Sequence, residues 1–213
     1  MRSVMAALCM AAFAPAAGAG AAPLVGGTEP PIVEPSRRPD DVVLVHREII
    51  GEIAGADRGP TLTVYGDGRA IAHYPIYMKR AGDWERRLAP RELDALLASL
   101  VAKGVLEFDV AATRAATRAA SEAARARARA ARRPPALFEA SDQSTTVIEL
   151  SLVRYAPATA GARAAGGIAK RVAWTGLHAD ALAHPDVPAL HDLAAAEREL
   201  RALRESPGFT RMR

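Results

Sequence analysis

Six residues between Leu177 and Leu193 are of types that do chemistry: His178, Asp180, His184, Asp186, His191 and Asp192. Imidazoles and carboxylates are common ligands of divalent transition metals, so this stretch is a candidate metal site. Its spacing fits no zinc-enzyme pattern, and a His-Glu-x-x-His motif occurs nowhere in the chain. The competing reading is a polar loop running into a helix, with Asp186 as the cap and His191 on the solvent side. That reading is preferred, and no metal ligand is assigned.

His46 and His73 form a second candidate. If their strands adjoin and a carboxylate converges on them in a cleft, they could act as a general-base pair. A histidine at the rim of an apolar face is more commonly a hydrogen-bonded structural residue. Tyr74, Tyr77, Trp84 and Trp174 could line a ligand surface, since aromatic side chains are favoured at binding sites. Packing on a sheet accounts for them equally well. Neither a Gly-x-Ser-x-Gly elbow nor a phosphate-binding glycine loop occurs. No catalytic, cofactor-binding or metal-binding residue is assigned, and no cofactor is expected. A small histidine-based hydrolase or metal-dependent enzyme stands as the rival reading.

Charge gives a third candidate. The 213-residue chain carries a formal +4, yet residues 110–133 hold seven arginines against Glu122 alone. The remainder is mildly acidic, so the basic balance belongs to one segment, and no nucleic acid is expected as partner. At about 100° per residue, Arg114, Arg118, Arg125, Arg129 and Arg132 fall in a stripe roughly 60° wide. Such a stripe could touch lipopolysaccharide, anionic lipid or another polyanion. The alternative is an alanine/arginine-rich insertion without a partner.

The N-terminus gives the destination. Arg2, the apolar run from Val4 to Phe13 and the small residues Ala19-Gly20-Ala21 have the three parts of a secretory signal peptide over residues 1–21. A periplasmic or secreted protein is expected. The single cysteine, Cys9, lies inside that signal, so the mature chain has no thiol for disulfides, zinc thiolates or nucleophilic catalysis. No later apolar run reaches membrane-spanning length.

Positioning any of these residues falls to the remaining elements. Residues 22–40, with five prolines, read as a linker or disordered lead-in. Val42 to Val45 open a strand that emerges into solvent at His46, Arg47 and Glu48. Thr61 to Met78 is a hairpin over Asp67-Gly68, in which a two-residue turn sets Val64 opposite Ile71 and Leu62 opposite His73. The 118–122 pair of Arg and Glu at i,i+4 supports a helix in the basic segment.

Trp84 to Leu88 is a short return strand. Pro90 and Glu92 start a helix whose Leu93, Leu96, Leu97, Leu100 and Val101 form one face, closed by Gly104. Val105 to Asp109 leads out, readable as a short strand. The basic segment, 110–135, is expected as an exposed helical insertion ending at Pro134-Pro135. Thr145 to Tyr155 and Ile168 to Thr175 make a second hairpin with a long tip. A last helix starts at Pro188 and buries Leu190, Leu193, Ala196, Leu200 and Leu203. Residues 207–213 form a loose tail. Residues 41–206 thus form one α+β domain, an antiparallel sheet of about five strands packed with two helices.

This order of elements resembles an uncharacterised domain of bacterial envelope and secreted proteins. The match rests on the first strand, the hairpin entry Leu62 to Gly68, the helix Leu93 to Leu100 and Phe108-Asp109. It continues through Asp142, the Thr145 strand pair and the helix of Pro188 and Leu190. The resemblance covers about two thirds of the mature chain and implies a fold without an activity. That domain often carries a cysteine pair before its hairpin; here Gly59-Pro60 stands near the position, so a thiol-dependent role is not implied. The function expected is a non-enzymatic envelope binding module. A structural envelope protein with a basic arm on anionic surfaces is a further alternative.

Overall fold

A computed structural model describes residues 31–51, 57, 59–132, 143–158 and 164–213. The expected signal peptide, residues 22–30 of the linker, Arg133, Pro134, Pro135 and Asp142 lie outside the described residues.

The fold is α+β; among the described residues it has four helices and an antiparallel sheet of eight strands rather than the expected five or so. The strands are β1 (Ile32–Glu34), β2 (Val42–Ile49), β3 (Thr61–Tyr65), β4 (Arg69–Tyr74), β5 (Gly82–Arg87), β6 (Thr145–Ala156), β7 (Ala165–Thr175) and β8 (Thr210–Arg211). The helices are α1 (Pro90–Ala102), α2 (Val110–Ala130), α3 (Leu177–Ala183) and α4 (Pro188–Glu205). The sheet runs β1-β6-β2-β3-β4-β5-β8, and β7 pairs β6. Long β6 therefore carries β2 beside its first half, β1 beside its end and β7 throughout.

Three of the extra elements lie where little structure was expected. Within the expected linker, Val33 pairs with Tyr155, and Arg37 reaches Asp94 on α1 at 2.5 Å. In the expected tail, Thr210 pairs with Glu85, and Phe209 is buried. Both segments are too short to show strand periodicity, and a ready sheet edge fixes them. The third is α3, read from sequence as loop. Conversely, Val105 to Asp109 holds no strand: residues 105–107 continue the turn after α1, and Phe108 and Asp109 lead irregularly into α2.

The first hairpin turns one residue differently from expectation. Leu62 faces Ala72, Val64 faces Ala70 and His73 faces Thr61, leaving a three-residue turn at Gly66-Asp67-Gly68. Gly68 takes φ +87°, and its N–H donates to Tyr65 O at 3.0 Å. That is the three-residue hairpin loop ending in a left-handed residue. A one-residue slip exchanges faces: Ala70, Ala72 and Tyr74 enter the core while Ile71 and His73 turn outward. β4 ends at Tyr74, before Pro75, which could not donate to the ladder.

Leu44, Leu62, Val64, Ile148, Leu150, Leu152 and Val172 meet α1, α3 and α4 in one apolar core. α1 buries the five apolar residues that its spacing picks out, and Glu92 Oε2 accepts from Ala89 N–H at 2.7 Å across its first turn. A register shift between Val42 and Leu44 lets the successive residues Val43 and Leu44 both join the core.

α2 stands apart in composition. Asp109 caps it through the Ala112 N–H, and Thr113 is its one buried residue. Val110 and Ala120 touch the core, and Arg114 lies over the Trp174 ring at 5.6 Å. Its first turns thus belong to the domain. Arg132 falls beyond the helix end with φ +52°, off the expected stripe. Arg118 and Glu122, though four apart, form no ion pair among the described residues, which removes that expected support.

Candidate functional site

The six-residue cluster of the C-terminal region does not assemble. Asp180 accepts from the Trp174 indole at 2.7 Å, and His178 turns the other way to Glu197. His184 caps α3 through its backbone, and Asp186, His191 and Asp192 are exposed. Asp186 is not the cap of α4 either: Val187 holds that position without a side-chain bond, because Pro188 at the first turn removes one N–H that would need a partner.

His46 and His73 do not converge. His46 is opposite Leu62, which pairs Ala72, so His46 shares the core face with Ala72, and adjacent His73 lies on the other. On that outer face His73 Nδ1 is 2.6 Å from Asp83 Oδ1 and Nε2 is 3.0 Å from Asp57 Oδ1. Partial burial lowers its pKa, but the two carboxylates outweigh it and hold the imidazole above its ordinary value. Both ring nitrogens are committed, so His73 is a clamp between β5 and the β2–β3 connection.

The aromatic residues also separate. Tyr74 and Trp174 are buried, Trp84 lies under Arg80 at 4.6 Å, and Tyr77 is exposed. A groove of about 320 Å³ runs along Leu88, Leu96 and Leu203, rimmed by Arg86 paired with Glu92. It lies away from every histidine.

A different set converges. Among the described residues, His46, Glu48 and Glu197 bring one ligand-type atom each within 4.8 Å of one another. His46 and Glu48 come from alternate positions of β2, and Glu197 from the inward side of α4. His46 and Glu197 are fully buried, with His46 Nε2 3.8 Å from Glu197 Oε1. Strand β2 therefore does not emerge into solvent at His46, because α4 covers its core face there.

Two arginines complete the group. The Arg201 Nη2 lies 2.5 Å from Glu48 Oε1 and 2.7 Å from Glu197 Oε1, the first too poorly aligned for a hydrogen bond. Buried Arg204 approaches Glu48 Oε2 at 3.5 Å. His178 Nε2 is 2.7 Å from Glu197 Oε2, from a side chain 43% exposed.

Electrostatics assigns the protons. Burial, then the Arg204 charge, pushes His46 down to about 4, so it is neutral near pH 7. Burial raises the Glu48 carboxyl. Burial acts upward on Glu197 too, but the Arg201 fork and His178 prevail and hold it below the usual carboxylate range. Two carboxylates so close have their pKa values drawn apart.

This set fits a divalent cation poorly. Arg201 already sits between the two carboxylates, where a metal would bind, and Arg204 adds a second positive charge. The arrangement is an arginine–carboxylate network around a neutral imidazole. Among the described residues, neither ring nitrogen of His46 has a hydrogen-bond partner, nor do Nε and Nη1 of Arg204.

The sequence reading missed Glu48, Glu197, Arg201 and Arg204. A signal existed: the inward stripe Leu190, Leu193, Leu200 continues in helical steps through Glu197 and Arg204. A charged pair on the apolar face of a helix marks a buried network. Leu203, expected inside, is only partly buried.

Comparison with protein-family models, with curated proteins and with solved structures finds no match for this chain.

Proposed function

We propose that this is an exported, non-enzymatic envelope module that docks on an anionic partner through the arginine-bearing flank of α2. One observation carries the reading: α2 is a 21-residue helix with a single buried residue. Arg118, Arg125, Arg127 and Arg129 on it are exposed and, among the described residues, make no ion pair. Uncompensated like charges repel along a helix, and an oxyanion-rich partner removes that repulsion while filling the guanidinium forks. The signal-like leader and the resemblance to an envelope domain support export.

The enzyme reading has the His178–Glu197 pair in its favour. Against it, His46 and Glu197 have no exposed surface, and Arg201 covers the carboxylates that a substrate or metal would need. The network's role is in this reading to hold α4 on β2.

Cell fractionation tests the proposal. The protein should be recovered from the envelope fraction with an N-terminus near Ala22, released by raised salt and not by low-salt washing. Unprocessed protein in the cytoplasm, or retention indifferent to salt, would overturn it.

A further inference from the structure

The arginine flank has a shape as well as a charge. Arg114, Arg118, Arg125 and Arg129 lie within a stripe about 60° wide along one side of α2. At about 1.5 Å per residue their steps along the axis are about 6, 10.5 and 6 Å, some 22 Å in all. Arg114 is held at the root of the row by the Trp174 ring. Between Ala111 and Ala130 every residue is Ala, Thr, Ser, Arg or Glu, so no large apolar side chain projects from the helix.

These features separate two kinds of anionic partner. Helices that lie on a bilayer bury an apolar face below the headgroups, with Trp, Phe or Leu as anchors. α2 has no such face. A single file of guanidiniums instead matches oxyanions repeated along a chain, each able to occupy one fork.

We propose that this flank binds a linear polyanion lengthwise: an extended polymer bearing phosphate or carboxylate groups along its backbone. The inference rests on the docking reading above and specifies its partner. Affinity should grow with chain length, because several contacts made together release several counterions.

The test uses the mature protein and four probes: long-chain polyphosphate, alginate, pyrophosphate and vesicles of phosphatidylglycerol. Expected is salt-sensitive binding to polyphosphate, alginate or both, with pyrophosphate at least tenfold weaker. The better of the two polymers identifies the preferred oxyanion. In the triple variant Arg118→Gln/Arg125→Gln/Arg129→Gln, affinity should fall at least tenfold. The log–log salt slope should flatten by about 2 to 3, roughly one for each lost contact. All three positions are exposed, and an unchanged circular dichroism spectrum and melting temperature would show the variant folded.

Binding to vesicles but to neither polymer would overturn the linear-chain inference and leave the docking reading standing. Binding to none of the probes would remove both. Polymer binding that survives in the folded triple variant would show that α2 is not the site.

Discussion

His46 and Glu197 face each other inside the domain, imidazole Nε2 to carboxylate Oε1 at 3.8 Å, with neither side chain reaching solvent. The pair joins β2 to α4 through a neutral ring and a carboxylate that the Arg201 guanidinium pairs and the His178 ring contacts. Burying ionised groups stabilises a fold only where partners are complete, and removing one partner is costly.

Acid should weaken the fold through His46. Its pKa is about 4 in the fold against 6.5 in an unfolded chain, so the unfolded state takes up more protons between those values. The His46 contribution is fully present above pH 6.5 and is lost as the pH falls towards 4, by up to roughly 3 kcal/mol at about 1.4 kcal/mol per pKa unit. Urea midpoints from pH 7 to 4 check this. His46→Leu should be less pH-dependent than the wild type over that range; an equal dependence would show that His46 is not the titrating group.

Arg201 should act as the internal counter-cation. Zinc, nickel or manganese at modest excess is then expected to leave the wild-type melting temperature unchanged. Arg201→Ala leaves Glu48, Glu197 and His46 without the guanidinium between them, and the same ions should now raise its melting temperature by mass action. Stabilisation of the wild type by metal would mean that Arg201 yields its place.

The turn at Gly68 should not accept a β-branched residue. Its φ is +87°, and a Cβ there would stand 2.4 Å from Leu88 O. Gly68→Val is expected to cost at least about 1 kcal/mol from backbone strain alone, read as a lower melting temperature. An unchanged melting temperature would contradict the three-residue turn.

α2 should divide at about Ala120. Replacing residues 121–132 by a short Gly/Ser linker removes no buried side chain and should leave the denaturant midpoint nearly unchanged. Starting the replacement at 111 also deletes Thr113, Arg114 and the Ala120 contact, and should lower the midpoint. Equal midpoints for both deletions would show that the first turns contribute nothing to the core.

Much of the architecture was legible along the chain because it is written in local periodicity. Leu93, Leu96, Leu97, Leu100 and Val101 define α1 without reference to any other segment, and Ile148, Leu150 and Leu152 define the core face of β6. Gly68 marks its turn because positive φ selects glycine. The register of that hairpin was not local: two- and three-residue turns are both compatible with Gly66-Asp67-Gly68, and packing on α1 and α4 decides which face of β4 is buried. The short strands β1 and β8 exist only because β6 and β5 offer edges to pair with. The polar network depended most on tertiary structure, since His46 and Glu197 are 151 positions apart in sequence. Composition and spacing place charges on each element separately. Only the docking of α4 across β2 removes the water that would otherwise keep His46, Glu48, Glu197 and Arg204 as ordinary surface groups, and it is that desolvation which makes them depend on one another.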